Sequence, residues 1–175
     1  MLSIIIPAYN EEKRLPEALD RTLKYLKNRK IKNEIIIVAD KSKDRTLGVV
    51  QEYTKKFKNV CYIYNPKKQG KGHAVRKGIL ASKGSLVLFI DADTSTPITE
   101  LDKFLPKIKN YDLVIGSREH KDSDVRNKLI SRVILGNLGN LLLRLFLIKT
   151  IRDTQCGFKL FNGNIARELF SLSRI

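Results

Sequence analysis

The sequence predicts an α/β fold in which a mostly parallel sheet is flanked by helices on both faces. Short β-branched runs alternate with longer amphipathic segments, which is the pattern of repeated strand and helix units. Several of the runs carry apolar residues on both faces, as a sheet covered by helices on each side requires. The 175 residues contain no repeat and no linker rich in Pro, Gly or Ser, so we expect a single domain over residues 1–175.

Each element follows from its own stretch of sequence. The apolar, β-branched runs predict strands at residues 2–6, 34–39, 60–64, 85–90 and 112–115. Apolar positions three and four apart predict helices at residues 15–28, 45–57, 72–82, 98–108 and 165–170. Asp44 is placed to cap the second helix, and Thr96 followed by Pro97 is placed to begin the fourth. Ligands of open α/β sheets bind beyond the carboxyl ends of the strands, which directs attention to the residues after each strand.

The charge of the chain favours polyanionic partners. Lys and Arg total 34 against 18 Asp and Glu, which gives a formal net charge of +16. Nucleic acid, anionic lipid and phosphorylated small molecules all fit such a charge. A basic nucleic-acid-binding module is the alternative of another class, but the sequence lacks an RNP-like aromatic run, zinc fingers and a pair of recognition helices. We therefore expect no nucleic-acid partner. The spacing of the cysteines and histidines predicts neither a disulfide framework nor a zinc site.

The clearest candidate for chemistry lies after the fourth strand. That strand ends in Asp91, Ala92 and Asp93, and the two carboxylates leave an extended backbone on the same side. Two hard oxygen ligands at a strand end suit Mg²⁺ or Mn²⁺, which keep open positions for the oxygens of a diphosphate. The alternative is that the carboxylates cap the following helix or lie in a turn.

The first two strands also end in polar groups. The first opens into Tyr9 and Glu11, a flat ring and a carboxylate suited to a nucleoside edge, although Glu11 in the first turn of a helix is the simpler interpretation. The second ends at Asp40, which could accept a hydrogen bond from a base, whereas Asp44 fits a helix cap better.

A basic loop, residues 65–78, enters the third helix. It fits neither the Walker pattern nor the dinucleotide pattern, because Val75 stands at the third glycine position of the latter. Two interpretations remain, phosphate binding by charge at a helix N-terminus and a solvated basic turn.

The last third of the chain combines arginines with an apolar stripe. Arg118 directly follows the fifth strand, so we expect its guanidinium in the crevice that holds the carboxylates, where it would clamp a phosphate. Arg132 either shares this role or is solvated. Residues 129–148 form an apolar helical stripe flanked by basic side chains, which predicts either a core helix or one lying partly in an anionic lipid interface. Its uncharged stretch is shorter than the roughly 20 residues that span a bilayer.

Taken together, these segments resemble the inverting nucleotide-sugar glycosyltransferases of family 2, which have the Rossmann-like GT-A fold. Within the family the resemblance is to the branch that loads a sugar onto a polyprenyl phosphate, the dolichyl-phosphate glucosyltransferases and mannose synthases. Five stretches carry it: residues 6–11, 70–78, 91–97, 116–118 and 152–161. The second strand departs from the family pattern, since Ala39-Asp40-Lys41-Ser42 stands where two aspartates, a glycine and a serine are usual.

The resemblance implies a role for each matching residue. The carboxylates of the fourth strand would bind the metal and the diphosphate, the first strand would line the nucleoside pocket and the second the base, and the arginines would hold a phosphate. Relatives continue with a further helix and strand, so we expect the catalytic domain to lack its C-terminal segment. The implied catalytic residues are Asp91, Asp93 and Arg118, and the implied substrate-binding residues are Pro7, Ala8, Tyr9, Glu11, Val38, Asp40, Lys71, Ala92, Ser95, Arg118 and Arg132.

The expected reaction is metal-dependent transfer of a hexose, glucose from UDP-glucose, to a polyprenyl phosphate with inversion. A phosphate acceptor, whose second pKa is about 6, is already anionic at neutral pH and needs positioning more than a base. A polysaccharide or other hydroxyl acceptor is the alternative and would need a general base, for which Asp153 is the one candidate. An inactive scaffold is a further alternative. The expected partners are a nucleotide sugar, a polyprenyl phosphate and an anionic membrane, with the protein peripheral at its cytoplasmic face, and a homo-oligomer or a partner membrane protein.

Overall fold

The computed structural model describes residues 1–93, 95–117, 153 and 155–174. Residues 1–114 and 158–175 form one compact unit, and residues 115–157 form a second. The strands are β1 (Leu2–Ala8), β2 (Asn33–Asp40), β3 (Val60–Asn65), β4 (Leu86–Ile90), β5 (Leu113–Ile115) and β6 (Phe158–Asn162). The helices are α1 (Leu15–Asn28), α2 (Thr46–Lys56), α3 (Lys71–Ala81), α4 (Leu101–Lys107) and α5 (Gly163–Leu172), with a 3₁₀ turn at Ile98–Glu100.

The six strands form one sheet in the order β3-β2-β1-β4-β6-β5. β1 pairs in parallel with both β2 and β4, and β2 pairs in parallel with β3. These pairings confirm the predicted α/β class and its mostly parallel sheet. β6 was not predicted, and it runs antiparallel to β4. The carboxyl ends of β1, β2 and β4 therefore meet at one edge of the sheet.

The apolar runs that predict the strands are buried in the interior of the protein. Ile4, Ile5 and Ile6 of β1 are completely buried, as in a strand that is covered on both faces. A cluster of apolar side chains joins β1, β2 and β4 to α3 and α5. Gly78 lets α3 approach the sheet closely, because a Cβ at this position would lie 2.4 Å from Cγ2 of Ile5. The close contact holds this part of α3 directly against β1.

The predicted fourth helix divides into two elements. The 3₁₀ turn begins at Ile98, and Pro97 occupies its N-cap, so the prediction that Thr96 caps a helix with Pro97 in its first turn is wrong. The reason is that Pro97 keeps an extended backbone, with φ −60° and ψ 138°, and stays outside the turn. α2 begins at Thr46 and its N-cap is Arg45, so Asp44, the cap that the sequence predicts, stands one position before the actual cap. Its Oδ1 nevertheless accepts from the Thr46 N–H at 3.0 Å and so serves the first turn. No helix in the described part of the chain has the length and hydropathy of a membrane span.

Candidate functional site

A cavity of about 350 Å³ lies beyond the carboxyl ends of β1, β2 and β4. This is the edge at which ligands bind in open α/β sheets. Its walls come from the ends of β1 and β2, from the loops that follow β1, β3 and β4, and from the start of α3. The lining residues are Pro7, Ala8, Tyr9, Glu11, Arg14, Asp40, Lys68, Gly70, Lys71, Ala74, Asp91, Ala92 and Asp93.

The two carboxylates after β4 have different partners. Asp91 Oδ1 lies 2.7 Å from the Lys71 ammonium. Asp93 Oδ1 accepts hydrogen bonds from the Ser95 N–H, at 3.0 Å, and from the Ser95 hydroxyl. Burial raises the pKa of Asp93, but the hydrogen bonds from Ser95 and the charges of Arg14 and Lys71 outweigh it, so the pKa lies below its ordinary value. Asp93 is therefore a turn residue, as the simpler interpretation held, and also an ionised wall of the cavity.

The donor set suits a divalent cation that is shared with a ligand. Asp91 and Asp93 supply carboxylate oxygens, the donors that Mg²⁺ and Mn²⁺ prefer. Within the described residues, no group of three or more His, Cys, Asp or Glu side chains could hold a metal ion. Oxygens of a bound ligand would have to complete the coordination, which is how Mg²⁺ is commonly held between one or two carboxylates and substrate phosphates.

Three basic side chains, those of Arg14, Lys68 and Lys71, bring positive charge to the wall of the cavity. The Lys68 ammonium lies 4.2 Å from the centroid of the Tyr9 ring. Arg14 forms a bidentate ion pair with Glu11, at 2.6 and 2.8 Å. Burial raises the pKa of Glu11 in spite of that ion pair. Lys68 and Arg14 were not predicted as site residues, although the basic composition of residues 65–78 pointed to the loop that carries Lys68.

Asp40 organises the basic loop. Its side chain is buried, Oδ1 accepts from Asn65 Nδ2 at 2.7 Å, and Oδ2 accepts from the N–H groups of Gln69 and Gly70, both at 3.0 Å. Gly70 has φ +92°, a conformation that favours glycine. Both carboxylate oxygens therefore have protein partners, and they tie the end of β2 to the segment that leads into α3.

A second set of hydrogen bonds joins the loops after β1 and β2. The Glu11 N–H donates to Thr46 Oγ1 at 2.8 Å, and the Glu12 N–H donates to Asp44 Oδ2 at 3.1 Å. The Lys43 N–H donates back to Asn10 Oδ1 at 2.9 Å. Burial raises the pKa of Asp44, but hydrogen bonds from the Thr46 hydroxyl and from the N–H groups of Glu12 and Thr46 outweigh it and lower the pKa. The network holds the β1 loop, with Tyr9 and Glu11, at the cavity.

Two of the predicted site residues lie outside the cavity lining. Val38 is fully buried in the cluster beneath α3, because the helix covers β2 at this position. Ser95 acts on the site through its hydrogen bonds to Asp93.

Asp153, the candidate base, is buried and accepts from the Gln155 N–H at 3.1 Å. Arg118 and Arg132, like the apolar stripe of residues 129–148, lie outside the described residues. The predicted residues that the structure brings together are Pro7, Ala8, Tyr9, Glu11, Asp40, Lys71, Asp91, Ala92 and Asp93.

Sequence comparison connects the chain to known proteins. A family described as "Glycosyl transferase family 2" matches residues 3–170. A dolichyl-phosphate beta-glucosyltransferase of Trichomonas vaginalis is 43% identical over 180 residues, which cover 97% of this chain and 55% of that protein. The enzyme of the same name from Drosophila melanogaster is 40% identical over 185 residues, covering 97% of this chain and 57% of that protein. The chain thus spans about half the length of these relatives.

Solved structures share the architecture. Mannosyl-3-phosphoglycerate synthase from Rubrobacter xylanophilus superposes with a TM-score of 0.71 at 20% identity, over 94% of this chain and 54% of that chain. Glucosyl-3-phosphoglycerate synthase from Mycobacterium tuberculosis, in complex with uridine-diphosphate, gives a TM-score of 0.67 at 19% identity, over 94% and 57% of the two chains. At these identities the likeness concerns the fold alone.

Proposed function

Because this chain belongs to glycosyl transferase family 2, we propose that it transfers a hexose, glucose from UDP-glucose, to a polyprenyl phosphate with inversion at the anomeric carbon. The observation that carries the proposal is the cavity in which Asp91 and Asp93 line the same space as Tyr9 and Lys71. The choice of glucose and of a lipid phosphate rests on the names of the relatives at 43% and 40% identity.

The described residues offer a surface for the nucleoside and for the diphosphate of the donor. The Tyr9 ring provides a flat wall for the nucleoside, and Glu11 provides an acceptor beside it. The start of α3 adds the partial positive charge of a helix N-terminus near the Lys71 ammonium, where a diphosphate would be stabilised. Asp91 and Asp93 would hold Mg²⁺ or Mn²⁺, which when bound neutralises charge developing on the departing diphosphate.

The acceptor side follows from the chemistry of phosphate. A phosphate monoester, with its second pKa of about 6, is largely ionised at neutral pH and attacks without a general base. We propose that Arg118 and Arg132 hold this phosphate or that of the donor. The burial of Asp153 and its hydrogen bond with Gln155 support a structural role for that carboxylate, so the base that a hydroxyl acceptor needs has no candidate there.

A lipid acceptor implies work at a membrane. We propose that the protein docks peripherally on the anionic, cytoplasmic face of a membrane, supported by its net charge of +16. Sedimentation with vesicles of mixed phosphatidylcholine and phosphatidylserine measures this at low and at high salt. We expect co-sedimentation at low salt that weakens as salt screens the charges. Protein that stays in the supernatant at low salt would contradict the docking.

The activity is tested with a panel of nucleotide sugars, Mn²⁺ or Mg²⁺, and short polyprenyl phosphates. We expect transfer from UDP-glucose, and a loss of roughly a hundredfold or more in Asp93→Asn, since the variant removes an anionic ligand of the cation that would neutralise the departing diphosphate. The matched control is Asp112→Asn, an exposed carboxylate that does not line the cavity. Full turnover by Asp93→Asn would contradict the assigned site. Transfer only to a hydroxyl acceptor would contradict the lipid phosphate.

A further inference from the structure

Lys71 forms an ion pair with Asp91, one of the two carboxylates of the proposed metal site. Its ammonium lies 2.7 Å from Asp91 Oδ1 and 5.3 Å from the centroid of the Phe89 ring. Lys71 is the first residue of α3, so the helix fixes its backbone. Its side chain is 55% exposed and that of Asp91 is 26% exposed, so the pair lies at the cavity wall where a ligand can reach it.

Two cations compete for the Asp91 carboxylate in this arrangement. A divalent ion bound to Asp91 and Asp93 would lie within a few ångströms of the Lys71 ammonium, and like charges at that separation repel. A lysine carries its charge on a flexible four-carbon stem, so the ammonium can move to another acceptor without a change in α3. A diphosphate in the same cavity supplies that acceptor.

We propose that Lys71 is an internal counter-ion of Asp91 that a divalent cation replaces when a nucleoside diphosphate binds. This rests on the proposed function, because it assumes a metal and a diphosphate in the same cavity. On binding, Lys71 exchanges the carboxylate for a phosphate oxygen, and Asp91 becomes free for the cation. Cation and nucleotide therefore strengthen each other's binding by the same factor, as linkage requires. Without nucleotide, Lys71 keeps the affinity for the cation low.

Calorimetric titration of the full chain with Mn²⁺, alone and with saturating UDP, tests the exchange. We expect Lys71→Met to bind Mn²⁺ alone roughly two- to fivefold more tightly than the unchanged protein, about what an ion pair of this exposure is worth. UDP should then tighten Mn²⁺ binding less in Lys71→Met than in the unchanged protein. Lys71→Arg keeps the cation and should resemble the unchanged protein. Lys68→Met removes an equal charge whose ammonium lies over the Tyr9 ring, and it should change the affinity for Mn²⁺ less than twofold.

The outcomes distinguish failure of the exchange alone from failure of the proposed function. Equal Mn²⁺ affinity in Lys71→Met and the unchanged protein, both folded by circular dichroism, would overturn the exchange and leave sugar transfer standing. An equal gain in Lys68→Met and Lys71→Met would overturn it too, since the effect would then be general charge. If no variant binds Mn²⁺ even with UDP, the metal site of the proposed function fails, and the exchange fails with it.

Discussion

Replacing Asp40 with asparagine distinguishes a residue that holds a loop from one that recognises a base. The carboxylate is 4% exposed and accepts from the Asn65 amide and from the N–H groups of Gln69 and Gly70. An asparagine amide has a single acceptor oxygen and an NH₂ group, so at least one of these three donors would face another donor. A donor left unpaired in the interior costs about 1–3 kcal/mol. We therefore expect the free energy of unfolding to fall by about 2 kcal/mol.

The same variant has a distinct effect on binding. The loop released by Asp40→Asn carries Lys68 and leads into Lys71, so affinity for UDP, GDP and ADP should fall together, by roughly tenfold or about 1.4 kcal/mol. Urea unfolding with an unchanged m-value gives the stability, and calorimetry gives the three affinities. Glu52→Gln, an exposed carboxylate on α2, is the control. A variant of unchanged stability that loses affinity for UDP alone would refute the loop role and support base recognition.

Two further predictions concern the interior and the tyrosines. Gly78→Ala should lower the free energy of unfolding by about 1–2 kcal/mol, because overpacking against Ile5 exceeds the gain in helix propensity. An unchanged midpoint of urea unfolding would contradict this, since it would mean that the sheet adjusts to the added methyl group without cost. Burial and a hydrogen bond to a carboxylate raise the pKa of both Tyr25 and Tyr53 from 10.0 to about 12. In an absorbance titration these two should ionise well above pH 10. Because the folded pKa is the higher one, the stability they contribute is present below pH 10 and is lost as the pH rises towards 12. Tyr53→Phe should remove part of the absorbance change near pH 12, and the absence of any such change in the unchanged protein would contradict the assignment.

The sheet was predictable where each strand carries its own signal. β1 and β2 are apolar on both faces, and only a strand buried on both faces needs such a run. β6 gave no comparable signal, because Lys159 interrupts its apolar residues and its partner β4 lies far away in the sequence. The pairing of β4 with β6 depends on tertiary packing, which no local window of sequence contains.

The site was predictable at the strand ends and less so in the loops. Asp91 and Asp93 stand directly after a buried strand, so the topology alone places them at the ligand edge. The contacts of Lys68 with Tyr9, and of Asp40 with the basic loop, depend on which loop folds over which. The sequence predicts that Asp40 accepts hydrogen bonds, but it suggests a nucleoside base as the donor. The actual donors include the N–H groups of Gln69 and Gly70, which lie 29 and 30 positions away and cannot be identified from local sequence.

The position of β6 inside the sheet affects how the protein is made. β4 is an apolar strand with β1 on one side, and its other side stays unpaired until residues 158–162 have been synthesised. An exposed apolar edge of this kind is a template for intermolecular pairing. Pairing with β6 is therefore what removes this edge of β4, and a chain that ended before residue 158 would leave it open.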